Sequence, residues 1–412
     1  MTRQPAPGDP ATDPATFDLL AALTELLLRW SYEGTAGAER IVTGVAARYG
    51  VRADVTFLSD AAVLTVGERT IARSAEPTVP PLTQVSALKR LLAAIDSGTL
   101  SAGEATARLA QLQRSPPYSR GVRVAGLVLF AVGFGVSVQA TWQEVVASAV
   151  LGLGVGLLVV ATDGRPRLTL VAPLFASVAV SALVLTAYDR GWIDGGPIQL
   201  ILPALFYFIP GDALSAAMLE LANNRITAGA SRLVYSLAVL LMLAFGALVA
   251  TVLTGIPQSA LFDVDIPGNL GPIAVAGGWV VFAVGVMLTF SMAPADFPWA
   301  LALVLATAAV VTLGSAIAGE AFGTFVAAAG MAAAALLLGR RPGLPPPYVL
   351  YLGAFYVLTP GSHGLRGIES WIGGHPLQGA TSVAGMVGLL TAIGLGMLLG
   401  AVVVRRPLAA GT

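Results

Sequence analysis

Beyond residue 121 the chain is written as ten apolar stretches separated by short polar ones, a pattern that suits lipid and little else. With about 20 residues as the length of a helical span, the first five cover 122–140, 145–162, 168–187, 197–221 and 233–253. The second five cover 272–292, 298–318, 322–338, 346–372 and 383–404. The fourth and the ninth each carry a Pro-Gly pair, Pro210-Gly211 and Pro360-Gly361, 150 residues apart. Proline removes a backbone donor and glycine abandons helical restraint, so each pair breaks a helix. Lipid offers the freed groups no replacement hydrogen bond, and broken backbone at that depth survives only against protein or a watery cavity.

The surroundings of the two pairs repeat as well. Eighteen residues beyond the first glycine comes Gly229-Ala230-Ser231, and eighteen beyond the second comes Gly379-Ala380-Thr381. Five spans followed by five oblige the second set to enter the membrane from the opposite side. The expected fold is therefore a polytopic α-helical membrane protein, ten spans arranged as a 5+5 inverted repeat with discontinuous helices over 121–255 and 256–412. Broken helices at corresponding positions of two halves point to a transport site. Loop charges agree with this count. With the amino terminus inside, Arg165, Arg167, Arg225, Arg232, Arg340, Arg341, Arg405 and Arg406 fall on the cytoplasmic side, and only Arg190 and Arg366 fall outside. Asp189, Asp194, Asp263, Asp265 and Glu320 then lie outside, and both termini lie in the cytoplasm.

Charge also marks off a first domain. Of 23 Lys and Arg, thirteen fall within residues 1–123. The remainder belongs to a chain of 56% hydrophobic residues, 11% charged residues and mean hydropathy +0.80, too apolar for a soluble globule. Residues 1–15 lack an apolar leader and read as a disordered tail, and 16–120 read as a small cytoplasmic α/β domain. Leu19, Leu20, Leu23, Leu26, Leu27 and Trp30 recur at helical spacing after a cap at Asp13 or Thr16. A second helix is expected over 36–49. Strands follow at 51–58, 62–66 and 69–74, the last pair joined at Gly67-Glu68, and helices return at 82–95 and 101–113. Ser101 and Glu104 have the spacing of a capping box. Glu33, Glu39 and Asp60 are tied by no spacing to a nucleophile or metal, so solvated or capping roles are expected of them.

Several chemistries are disfavoured. The chain has no cysteine for disulfides or thiolate metal sites, and its two histidines, His363 and His375, give a metal centre or a hydrolytic triad little to draw on. A formal net charge of zero gives a nucleic acid partner no support. No cofactor is called for. The site candidates lie on the two broken spans. Pro210 and Gly211 are followed by Asp212, with Ser215 one turn on, Glu220 near the helix exit, and Gly229 and Arg232 beyond. Pro360 and Gly361 are followed by Ser362, Arg366 and Glu369, which share one helical face, with His363 beside them. An ionisable group at membrane depth usually marks a pathway or a proton relay. The competing reading leaves 220–232 at the cytoplasmic surface and pairs Arg366 with Glu369. Freed helix amino termini suit a carboxylate, freed carbonyls or an acid suit an ammonium, and hydroxyls suit a hydroxylated side chain, which together describe a small zwitterion.

From Ala21 to its end the chain resembles the threonine/serine exporter family. The resemblance is carried by the Tyr49-Gly50-Val51 step, the helix start from Leu100 to Ala105, Pro116-Pro117-Tyr118 at the membrane entry, and both Pro-Gly segments. In the first segment Pro210, Gly211, Glu220, Gly229 and Arg232 match the family pattern, while Asn224 and Arg225 stand where the family often has Gly and Asp. In the second, Pro360, Gly361, Arg366 and Gly367 match. The resemblance implies a secondary exporter of threonine and serine driven by protons, with Asp212 or Glu220 exchanging the proton, and not an enzyme. It also raises export of C4-dicarboxylates such as succinate, because relatives split into two half-proteins are associated with that activity, and hydrolysis by the amino-terminal domain. The partners so implied are the amino acid, protons and the lipid bilayer, and a homo-oligomer is compatible with them.

Overall fold

The structure, a computed structural model, describes residues 13–404 apart from 31, 77, 115–116, 140, 194–195, 262–269 and 359. The expected tail, the arginines at 405 and 406, and the outside carboxylates at 194, 263 and 265 lie outside the described residues. The chain divides into two compact units. One comprises the described residues up to Pro117 together with Asn223–Ser231, and the other comprises Tyr118–Ala222 with the chain from Arg232 onward.

The first unit contains helix α1 (Pro14–Trp30), helix α2 (Gly34–Arg48), strands β1 (Ala53–Phe57), β2 (Ala61–Val66) and β3 (Arg69–Ser74), and helices α3 (Leu82–Asp96) and α4 (Ala102–Arg114). Asp13 opens α1, its carboxylate accepting from the Ala15 N–H at 3.1 Å and the Thr16 hydroxyl at 2.8 Å. The predicted leucine stripe is buried, with Leu19, Leu20, Leu23, Leu26 and Leu27 at the centre of the core. The strands form one antiparallel sheet in the order β1-β2-β3. Val66 pairs with Arg69 across Gly67, whose φ of +60° is one that glycine adopts at little cost. On β2, Ala62, Leu64 and Val66 point into the core, and the alternate residues do not. The capping box closes at both ends, the Glu104 N–H donating to Ser101 Oγ at 3.3 Å and the Ser101 N–H to Glu104 Oε2 at 2.9 Å.

The second unit is helical among its described residues. A first series consists of α5 (Arg120–Val138), α6 (Trp142–Thr162), α7 (Pro166–Asp189), the short α8 (Pro197–Leu205) and α9 (Gly211–Ala222), and the long α10 (Ile226–Thr254), whose opening residues up to Ser231 belong to the first unit. A second series consists of α11 (Pro272–Thr289), α12 (Phe297–Ala318), α13 (Glu320–Gly339), the short α14 (Pro347–Leu358) and α15 (Pro360–Ile372), and the long α16 (Pro376–Val404). Among the described residues, eight helices are long and apolar enough to cross a membrane, namely α5, α6, α7, α10, α11, α12, α13 and α16. Each of the two stretches with a Pro-Gly pair is realised as two short helices.

Close glycine contacts show how these helices run past one another. Gly126 meets Thr289, Gly133 meets Phe282, and Gly285 meets Phe130, so α5 and α11 are antiparallel and nearly touch backbone to backbone. A Cβ at Gly133 would lie 2.3 Å from the Phe282 nitrogen, an approach only glycine permits. On the other side Gly396 meets the Phe325 carbonyl and Gly400 meets the Ala329 carbonyl, so α13 and α16 run parallel. One contact occurs twice. Gly246 sits against the Leu174 carbonyl and the Ser177 Cβ, and Gly396 sits against the Phe325 carbonyl and the Ala328 Cβ, each partner shifted by 150 or 151 residues. Polar ties at helix ends agree with these directions. Arg123 pairs with Asp163 at 2.6 Å, the Tyr118 hydroxyl donates to the Met292 carbonyl at 2.6 Å, and Arg340 donates to the Val404 carbonyl at 2.9 Å.

Candidate transport site

The first interruption is longer than a simple kink. Helix α8 stops at Leu205, Phe206–Phe208 form a single 3-10 turn, and α9 starts afresh at Gly211. The second is tighter, with α14 ending at Leu358 and α15 beginning at Pro360. In both, the Pro-Gly pair opens the following helix instead of closing the preceding one. Proline without an N–H and with φ fixed near −65° suits a helix start, and Pro210 accepts from the Leu214 N–H at 2.9 Å as α9 begins.

The two interruptions meet. A Cβ placed on Gly361 would lie 2.4 Å from Ile209 Cγ2 and 3.5 Å from both the nitrogen and the Cα of Gly211. Helices α9 and α15 pack against each other, and α9 also packs on α14 and α16. Two helix amino termini and two carboxyl termini therefore converge on one place, with orphan N–H and C=O groups from each. Beside it lies an aromatic cluster drawn from both series. Phe134 stacks on Phe206 at 3.6 Å between centroids, Phe130 lies 4.7 Å from Phe282, and Phe206 meets Tyr356 edge-on at 5.5 Å. Phe206 and Tyr356, like Gly211 and Gly361, are separated by 150 residues. Residues at equivalent sequence positions touch each other.

Of the candidate side chains, Ser362 is buried on α15 and Glu369 is wholly buried, while Arg366 on the same helix is half-buried. Glu220 on α9 is buried too. Gly211, Glu220, Pro360, Gly361, Ser362, Arg366 and Glu369 thus all belong to the helices that start at the interruptions, and Pro210 immediately precedes α9. The side chains of Asp212 and Ser215 lie outside the described residues, as does that of Pro360. Gly229 falls in the stretch that clusters with the amino-terminal unit, and Arg232 begins the part of α10 that does not. In the second series the residue equivalent to Gly229 has a visible purpose. A Cβ on Gly379 would lie 2.7 Å from the Gly367 carbonyl, so this glycine lets α16 fold back tightly on α15.

Two arrangements were missed by the sequence reading. Glu39, expected to be solvated or to cap a helix, instead takes both Arg225 nitrogens, NH1 at 3.1 Å and NH2 at closer range, and also accepts from the Phe57 N–H at 3.3 Å. Glu39 is mostly buried, at 18% side-chain exposure, which explains why it needs a charged partner. Arg225 departs from the family pattern, and that departure was the available signal. The second arrangement pairs Glu320 with His363, discussed below. In the amino-terminal unit, burial lifts the Glu33 carboxyl above its ordinary range against the opposing pull of Arg40. Hydrogen bonds from Ser101 hold the exposed Glu104 below its own range. Among the described residues no three His, Asp or Glu side chains are grouped to hold a metal ion.

Comparison with known proteins bears on this arrangement directly. Residues 18–254, more than half of the chain, match the family model described as "Putative threonine/serine exporter". The chain belongs to this family. It is also 26% identical over 415 aligned positions to a protein of Mycobacterium tuberculosis named "Probable threonine/serine exporter", an alignment covering 93% of this chain and 75% of the relative. No solved structure matches the chain. The exporter family match ends at Thr254, which is also the last residue of α10.

Proposed function

We propose that this member of the threonine/serine exporter family is a secondary exporter of small hydroxylated amino acids, threonine and serine, coupled to protons. The observation that carries the reading is the meeting of the two Pro-Gly interruptions, Gly361 against Gly211. An α-amino acid presents a carboxylate and an ammonium about one residue apart. Two helix amino termini and two carboxyl termini converging on one place offer both complementary dipoles, in the manner of transporters that bind substrate at discontinuous helices. Acidic groups on α9, Asp212 or Glu220, then serve as proton carriers.

The reading includes ten spans in an inverted repeat, the short pairs α8-α9 and α14-α15 each crossing once. The antiparallel run of α5 and α11 supports it, because an even number of crossings must lie between the two, and α6, α7 and α10 without the α8-α9 pair would make three. The parallel run of α13 and α16 supports it again, because a re-entrant α14-α15 would set them antiparallel. Contacts between equivalent residues, Phe206 with Tyr356 and Gly211 with Gly361, are those expected on a twofold axis between halves. The site is then at the bilayer midplane of an inner-membrane protein with both termini in the cytoplasm.

The test is transport by the purified full chain in proteoliposomes, with labelled threonine, serine and succinate assayed in parallel, each with and without an imposed pH gradient. Threonine and serine are expected to exchange against their trapped unlabelled forms and to accumulate when the gradient is imposed. Exchange of succinate alone would replace the amino acid reading, and flux that ignores the gradient would make the protein a channel. Asp212→Asn with full gradient-driven accumulation would remove Asp212 from the coupling route.

A further inference from the structure

Three residues past Pro360, His363 on α15 meets a carboxylate brought from another helix. Glu320, the first residue of α13, places Oε1 3.2 Å from His363 Nε2. Toward α16, a Cβ on Gly385 would lie 3.6 Å from the other ring nitrogen, Nδ1. Gly385 is nine residues past the start of α16 at Pro376, about 14 Å along the helix axis. His363 therefore sits against α16 within one turn of the second interruption. Glu320 is nonetheless 58% exposed. In the proposed topology α13 opens on the outer side, so the exposed carboxylate gives the pair an approach from the outside water beside the interruption.

The pair also has no counterpart in the other series. The twice-seen glycine contact relates α10 to α16 by 150 residues and α7 to α13 by 151, and at those shifts Ala213 stands for His363 and Thr169 for Glu320. The charged surroundings are sparse. On α15 itself are Arg366, within electrostatic reach of Glu320, and Glu369. Helices α14 and α16 carry no charged residue, α13 carries none besides Glu320, and α9 contributes Asp212 and Glu220.

We propose that Glu320 and His363 form the proton-exchanging pair that couples substrate movement to the proton gradient. The assignment rests on the exporter reading above and adds a site in the second half to the acids on α9. Imidazole is the side chain whose ordinary titration falls between about pH 5 and 8. A neutral His363 beside the Glu320 carboxylate takes up one proton from the aqueous approach and becomes an imidazolium-carboxylate pair, changing the net charge of the pair from −1 to 0. On release the proton leaves and the charge returns. That one-unit change next to the interruption is what ties proton occupancy to the substrate-binding backbone.

The experiment compares the full-length wild type with Glu320→Gln and His363→Gln in proteoliposomes. Exchange of labelled threonine against trapped unlabelled threonine requires no net proton movement, whereas accumulation under an imposed pH gradient does. Both variants are expected to retain exchange and to lose gradient-driven accumulation. Full accumulation in either variant would overturn the assignment. Loss of exchange together with accumulation would also overturn it, by making the pair part of the scaffold. Absence of exchange in the wild type would instead overturn the exporter reading, and this assignment with it.

Discussion

Gly361 shows how much a single missing side chain decides. Its hypothetical Cβ collides with the Cγ2 methyl on the branched Cβ of buried Ile209, while the Gly211 backbone stands farther off at 3.5 Å. Gly361→Ala is therefore expected to slow threonine exchange, because that methyl moves only when the stiff Ile209 χ1 turns. Gly361→Val adds a branch that also presses on Gly211, and is expected to abolish exchange while the protein still inserts and purifies as a monodisperse species. Ile209→Ala in the same chain should restore part of it. Exchange at the wild-type rate in Gly361→Val would show that the close approach is not needed. The sequence made the glycine conspicuous through its position after proline, but gave no hint of Ile209. Neighbours of that kind are created by the crossing of α9 and α15, and no local pattern encodes it.

At the scale of elements, the helices of the first unit were legible because burial imposes a period, and the eight long apolar helices because a span needs an unbroken apolar run. The caps at Asp13 and at Ser101 with Glu104 were legible for the same local reason. The bond of Glu39 to Arg225 was not, since 186 residues separate the partners. It fastens Asn223–Ser231, the segment between α9 and the body of α10, within the amino-terminal unit. A charge-assisted bidentate pair with Arg225 at 38% side-chain exposure is worth about 1 kcal/mol. Glu39→Gln should thus raise the population of locally opened segment roughly five-fold. Tryptic cleavage after Arg225 in the purified full chain is expected to speed up by that factor. An unchanged rate would mean that the pair contributes nothing to holding the segment.

For the whole molecule, the proposed repeat rests on punctuation, Pro-Gly and then a glycine eighteen residues on, and much less on side chains. The two series share geometry with little identity. Gly246 and Gly396 make the same contact, yet the partners are Ser177 in one and Ala328 in the other. Helix packing in lipid needs small residues at crossings and tolerates wide variation elsewhere, so only the glycines keep a recognisable spacing. The proposed ten-span topology places Asp189 and Arg340 on opposite faces of the bilayer. With no native cysteine in the way, Asp189→Cys should react with an impermeant maleimide added to intact cells, and Arg340→Cys only after permeabilisation. Reaction of both from the same side would refute the topology.

Two identical halves would leave the inward-open and outward-open forms of such a carrier equal in energy, since exchanging the halves converts one form into the other. The fastening of Asn223–Ser231 within the amino-terminal unit concerns one half alone. On the exporter reading, this one-sided fastening would bias which of the two forms the empty carrier adopts.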